Sequence, residues 1–121
     1  MALEPPTVFL DKDGTLIDDL PYNVDPARIT LAPGAAEGAR LLTKAGFRLV
    51  VVTNQPGVAQ GRFPSSALAA VEERLGELLA EHGAALAGFY HCPHDPHGSV
   101  APFNRDCACR KPDDGLLRRA A

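Results

Sequence analysis

The chain has 121 residues, which suits one domain with a single core and excludes two. Hydrophobic residues at 45% and charged residues at 22% exclude a generally disordered chain. Twelve basic against fifteen acidic residues give a net charge of −3, which argues against a broad nucleic-acid-binding face.

Thr7-Val8-Phe9-Leu10 is a short β-rich apolar run and predicts a buried strand, broken sharply by Asp11-Lys12-Asp13-Gly14-Thr15. Residues 18–33 carry Asp18, Asp19, Pro21, Asn23, Pro26 and Pro33 and read as loop. A helix follows from about Gly34 to Lys44, with Leu41, Leu42 and Ala45 as its apolar side and Gly46 as its stop. Phe47 to Val52 predicts a second buried strand ending at Thr53-Asn54, and Gln55 to Phe63 a glycine-containing loop. Ser65 or Ser66 suits the N-cap of the next helix, in which Leu68, Val71, Leu75, Leu78 and Leu79 recur at the helical period until Gly83. Leu86 to Tyr90 is a third strand of weaker pattern. Strand, helix, strand, helix, strand predicts an α/β domain with a Rossmann-like parallel sheet, spanning 1–121 as one unit.

The longest aliphatic runs, Leu49 to Val52 and Ala67 to Val71, are too short to cross a bilayer. The start, Met1-Ala2-Leu3-Glu4, has neither a basic leader nor an apolar signal core, so a cytoplasmic protein with no membrane partner is expected.

Open parallel sheets carry their sites beyond the carboxyl ends of the strands, so Asp11 and Thr53 should face one crevice. A strand-ending Asp with a second Asp two residues on suits nucleophilic phosphoryl transfer. One carboxylate attacks phosphorus and the other serves as general acid and base. The bland alternative is a polar turn or an Asp-rich cation loop.

All three cysteines fall in one stretch, as Cys92-Pro93-His94 and Cys107-Ala108-Cys109. An odd number in a chain expected to be cytosolic disfavours a disulfide framework. Cys92, His94, Cys107 and Cys109 form a tetrahedral three-thiolate, one-imidazole set for zinc, in a loop of about residues 91–110. His91 and His97 compete for the fourth place but lie outside the two short pairs, and a fully protein-ligated site reads as structural.

Three segments together resemble a known family. Val8-Phe9-Leu10-Asp11-Lys12-Asp13-Gly14-Thr15-Leu16 resembles the first motif of the haloacid dehalogenase superfamily. Val51-Val52-Thr53-Asn54-Gln55-Pro56-Gly57-Val58-Ala59-Gln60-Gly61 is similar to the second motif of its histidinol-phosphate and heptose-bisphosphate phosphatase branch. The cysteine pairs, followed by Arg110-Lys111-Pro112, resemble that branch's zinc loop and third motif, so the likeness runs from Thr7 to about Gly115.

The resemblance implies a magnesium-dependent hydrolase acting on a sugar phosphate in carbohydrate metabolism. A heptose bisphosphate is the first substrate implied and histidinol phosphate the alternative. Asp11 would be the nucleophile and Asp13 the acid and base. Thr53, Asn54 and Gln55 would bind or shape the phosphoryl site, and Lys111 would neutralise its charge. Arg110 would contact a second phosphate, with a surface arginine as the bland alternative. Asp11 and the backbone carbonyl of Asp13 would hold magnesium.

The same resemblance implies a fourth motif, a helix and a further strand whose acidic end binds magnesium. The sequence given ends at Ala121 inside that helix, so a C-terminally incomplete domain lacking that strand is expected. Weak turnover, a monomer able to associate through the unpaired sheet edge, or a non-catalytic zinc-stabilised module would follow from that.

Overall fold

The computed structural model describes residues 5–120, so Met1–Glu4, read above for a leader, lie outside it, as does Ala121. Three parallel strands, β1 (Thr7–Leu10), β2 (Arg48–Asn54) and β3 (Leu86–Cys92), lie side by side in chain order. Val8 pairs with Leu49 and Leu10 with Val51, while Thr53 pairs with His91 and Asn54 with Cys92. Helices α1 (Ala35–Lys44) and α2 (Ala67–Glu81) make the two crossovers, and a short α3 (Gly115–Ala120) follows.

Because both crossovers run in the same direction across the sheet, right-handed connections put α1 and α2 on one face. Leu49 and Val51 point there and pack with Ala39, Val71, Leu75 and Leu79. Val50 and Val52 point to the opposite face and pack with Cys92, Leu116 and Ala120. The central strand is therefore buried on both sides, which is why it reads as a continuous aliphatic run rather than an alternating one. Phe9, on the edge strand β1, is 39% exposed.

The helix stops follow the glycines. Gly46 and Gly83 adopt φ of 92° and 75°, a region costly for any residue with a Cβ. Each sits in the same double hydrogen bond. Gly46 N–H donates to Thr43 and Phe47 N–H to Leu42, while Gly83 N–H donates to Ala80 and Ala84 N–H to Leu79.

Three local expectations are corrected. Leu41 is 51% exposed, and the buried side of α1 is Ala35, Ala39 and Leu42, a stripe at steps of four and three. Ser66 occupies the N-cap of α2, but neither it nor Ser65 caps with its hydroxyl. The preceding turn does that work, with Ala67 N–H donating to Pro64 and Leu68 N–H to Ser65. Finally, β3 runs two residues further than predicted and carries Cys92 at its end, almost wholly buried. No helix among the described residues is long and apolar enough to cross a membrane.

Candidate functional site

The carboxyl ends of all three strands converge as the strand pattern predicts, and Lys111 ties two of them together. Its ammonium lies 2.9 Å from Asp11 Oδ1 beyond β1 and donates to the Val52 carbonyl of β2 at 3.0 Å. Asp11 Oδ1 also accepts the Lys12 backbone N–H at 2.9 Å. Two donors thus pin one carboxylate oxygen, while Oδ2 accepts no hydrogen bond among the described residues. The side chain is about half exposed, open to a ligand from the crevice.

Asp13 sits on the tight turn that follows. Lys12 N–H is spent on Asp11, and the Lys12 carbonyl accepts from Thr15, Leu16 and Ile17. Asp13 Oδ2 accepts from Gln55 Nε2 at 3.3 Å and lies 3.4 Å from Lys12 Nζ. The same Gln55 amide donates to Thr53 Oγ1 at 3.0 Å, and Thr53 is buried. Gln55 therefore links the end of β2 to the turn after β1. Lys12 is only 1% exposed, an ammonium held under the turn and paired with Asp13.

Asn54 uses its amide in both directions on one residue. Lys111 N–H donates to Asn54 Oδ1 at 2.8 Å, and Asn54 Nδ2 donates to the Lys111 carbonyl at 3.1 Å. Its side chain clamps the segment that carries the lysine, across 57 residues of chain. Arg110, one residue earlier, lies 3.7 Å from Asp95 and lines an open cavity of about 300 Å³ together with Arg105, Lys111 and Asp113.

Cys92, His94, Cys107 and Cys109 are the one cluster of potential metal ligands among the described residues, with their ligand atoms all within 4.8 Å of one another. Cys92 Sγ is 3.5 Å from His94 Nδ1 and 3.4 Å from Cys107 Sγ, and His94 Nδ1 is 3.3 Å from Cys109 Sγ. His94 presents Nδ1 to the Cys92 and Cys109 sulfurs while Nε2 faces Arg105 at 3.2 Å. His91 and His97 stand outside the cluster. Three sulfurs and one imidazole nitrogen at these separations suit zinc. Burial, helped by Arg105, lowers the His94 pKa, a shift towards the neutral ring that a ligand must be. Burial pushes the Cys92 thiol up. At Cys107 burial acts in the same sense, but hydrogen bonds from Cys92 and Cys109 outweigh it and bring the thiol below its ordinary value.

Magnesium would need hard oxygen donors, and two are presented: the bare Asp11 Oδ2 and the Asp13 carbonyl, which accepts no backbone hydrogen bond among the described residues. That ion keeps most of its water and needs few protein ligands, so the donor set fits it. Asp18 is spent on the Thr30 hydroxyl at 2.7 Å.

Two residues escaped the sequence reading. Asp95, 7% exposed, accepts from Gln60 Nε2 at 2.9 Å and from His97 N–H at 3.0 Å. These bonds, Gln60 first, hold its carboxyl below the usual carboxylate range. Nearby, the Ala59 carbonyl accepts from both Ser99 and Val100 N–H at 2.9 Å. The loop that carries the cysteines is thereby laid onto the loop after β2. Gln60 and Asp95 are 35 residues apart and belong to no local spacing.

No family model matches the chain. The D-glycero-β-D-manno-heptose-1,7-bisphosphate 7-phosphatase of Escherichia coli K12 is 42% identical over 120 residues, which are 99% of this chain and 63% of that protein. The chain therefore spans less than two thirds of that curated relative. A Thermoplasma volcanium protein named "Probable D-glycero-D-manno-heptose-1,7-bisphosphate 7-phosphatase" is 36% identical over 111 residues, 92% of this chain and 71% of the relative. Among solved structures, a D,D-heptose 1,7-bisphosphate phosphatase from B. bronchiseptica, complexed with magnesium and phosphate, superposes with a TM-score of 0.81. It is 32% identical and covers 96% of this chain and 62% of its own.

Proposed function

The chain belongs to the heptose-bisphosphate phosphatase family of the haloacid-dehalogenase-like phosphatases, and from that premise we propose that it hydrolyses a phosphate monoester of a sugar bisphosphate. The 7-phosphate of D-glycero-D-manno-heptose 1,7-bisphosphate is the bond we assign, because the relatives carry that activity in their names. One observation carries the mechanism. Lys111 and the Lys12 N–H fix one oxygen of Asp11 at a strand end, with the Asp13 carboxylate on the adjoining turn.

In the first half-reaction the Asp11 carboxylate forms a bond to phosphorus as the bond from phosphorus to the sugar oxygen breaks. Asp13 gives its proton to that leaving oxygen. In the second half-reaction water attacks the aspartyl-phosphate, Asp13 takes the water's proton, and Asp11 and inorganic phosphate are released. The Lys111 ammonium offsets charge on the phosphoryl oxygens and on Asp11, while Gln55 keeps Asp13 turned towards the same place. Thr53, buried at the end of β2, now donates its hydroxyl to the Asn54 carbonyl at 3.3 Å and would have to turn from it to reach the phosphoryl group. Arg110 meets the second phosphate in the cavity beside Lys111.

Magnesium, held by Asp11 and the Asp13 carbonyl, would supply positive charge between the carboxylate and the phosphate, which otherwise repel. Cys92, His94, Cys107 and Cys109 would hold zinc with four protein ligands, which would steady the loop and leave the ion outside the chemistry. Free thiols in a reduced compartment suit that metal, and we place the protein in the cytoplasm on that ground.

The test is phosphate release from heptose 1,7-bisphosphate at saturating magnesium. Asp11→Asn should abolish it, because an amide cannot form the acyl phosphate. Asp13→Asn should leave substrate binding intact and slow both half-reactions. An Asp11→Asn chain that keeps the unsubstituted rate would move the nucleophile elsewhere.

A further inference from the structure

Arg110 has its backbone fixed on both sides, by Cys109 in the metal cluster and by Lys111 in the grip of Asn54. Its long side chain is not fixed by either. The side chain is 42% exposed and lines the cavity of about 300 Å³, whose other charged residues are Arg105, Lys111, Asp106 and Asp113. The single carboxylate paired with it is Asp95, and that carboxylate is tied at both oxygens. Gln60 holds Oδ2 and the His97 N–H holds Oδ1. The Asp95 backbone is engaged as well, its N–H donating to Phe103 and its carbonyl accepting from Gly98.

This enclosed carboxylate is held in place by neutral donors at both oxygens, and the Arg110 guanidinium is the cation beside it. At 3.7 Å from Arg110 it makes an ion pair without occupying the whole guanidinium fork, whose remaining N–H groups stay free for an anion. We infer that Asp95, steadied by Gln60, is a positioning residue that aims Arg110 into this cavity and so sets the preference for a substrate with a second phosphate. The inference rests on the substrate reading proposed above. It adds that the preference is built by a residue that touches no phosphate.

Two effects oppose each other when Asp95 loses its charge. An anion in the cavity would feel less repulsion, yet Arg110 would regain its rotamers. The cavity is open to water, so the repulsion is screened, and the loss of order governs. Freezing one long side chain afresh on binding weakens affinity by about two- to tenfold.

The experiment measures calorimetric affinity for heptose 1,7-bisphosphate and for its 7-monophosphate, in an Asp11→Asn background that prevents turnover. Asp95→Asn should weaken the bisphosphate about two- to tenfold and leave the monophosphate unchanged. Arg110→Ala should erase the preference for the bisphosphate, and adding Asp95→Asn to it should cost nothing more. Gln60→Met, which removes one of the donors steadying Asp95, should shift the same ratio in a smaller step, and it serves if Asp95→Asn fails to fold. Equal or tighter bisphosphate binding in the folded Asp95→Asn chain, while Arg110→Ala still loses the preference, overturns the positioning role and spares the substrate reading. No preference in the Asp11→Asn background itself overturns both.

Discussion

Replacing Asn54 by Ala removes both hydrogen bonds that fasten the Lys111 backbone to the end of β2. Each such bond contributes about 0.5–1.5 kcal/mol net. The site is half-buried, so water reaches the freed groups, and the joint loss should sit in the lower part of the summed range, at about 1–2 kcal/mol. The loss acts on a local opening of the segment around Lys111 rather than on the sheet, whose strand pairs are untouched. Amide hydrogen exchange reads it directly. The Lys111 N–H, protected by Asn54 Oδ1, should exchange about five- to thirtyfold faster in Asn54→Ala, the factor those energies correspond to. Amides of Val50 and Val51 should keep their rates. Asn54→Asp retains an acceptor for the Lys111 N–H and loses only the donor to its carbonyl, so the Lys111 amide should stay nearer the unsubstituted rate. Turnover should fall in the same order, since Lys111 Nζ depends on this backbone to reach Asp11. An unchanged Lys111 exchange rate in Asn54→Ala would refute the clamp.

Metal analysis should find one zinc per chain, and Cys107→Ser should lower its content while β1 to β3 stay folded. Stoichiometric zinc in a Cys107→Ser, Cys109→Ser double variant would contradict the ligand set. After chelation, iodoacetamide at mildly alkaline pH should label Cys107 first and the buried Cys92 last, because one thiol is lowered and the other raised. Peptide mass spectrometry gives the order, and Cys92 labelled first would invert it. Gly98→Ala would put a Cβ 2.5 Å from the Ala59 carbonyl oxygen, a backbone atom that cannot swing aside. It should cost about 1–3 kcal/mol in thermal unfolding, and an unchanged midpoint would mean the two loops are not docked as described.

The sheet was legible because its central strand is an aliphatic run bounded by loop chemistry, and both helix stops because Gly46 and Gly83 follow an apolar period. Leu41 was misplaced because a leucine pair offers two stripes, and only packing against β2 selects Leu42. The cluster of Cys92, His94, Cys107 and Cys109 was readable from two short pairs, each a matter of local reach. Asn54 was read as a residue shaping the phosphoryl site, yet its amide holds a backbone 57 residues away. Asp95 and Gln60 were invisible for the same reason. Their contact exists only once Gly98 lets one loop lie on the other, and nothing in the spacing of either loop announces it.

The two faces of the sheet draw on different parts of the chain. The α1–α2 face is built from residues up to Phe89, whereas the opposite face needs Cys92, Cys107, Cys109, Leu116 and Ala120. Lys111 meets Asp11 across 100 residues, against 41 between the paired strand residues Thr7 and Arg48. Closing the longer loop has the greater entropic cost, so in folding the sheet and its first two helices should precede the lysine's arrival. During synthesis the carboxylates would then stand ready on a formed scaffold while the cation that completes them is still being made. In the finished protein the reverse step is available too. By the same ordering, the segment after Cys92 should open first, uncovering Val50 and Val52, while the α1–α2 core stays closed. A phosphorylated ligand bridging Asp11 and Lys111 would oppose that opening, so occupancy of the site should register as slower exchange in α3, a helix that contributes no residue to the chemistry.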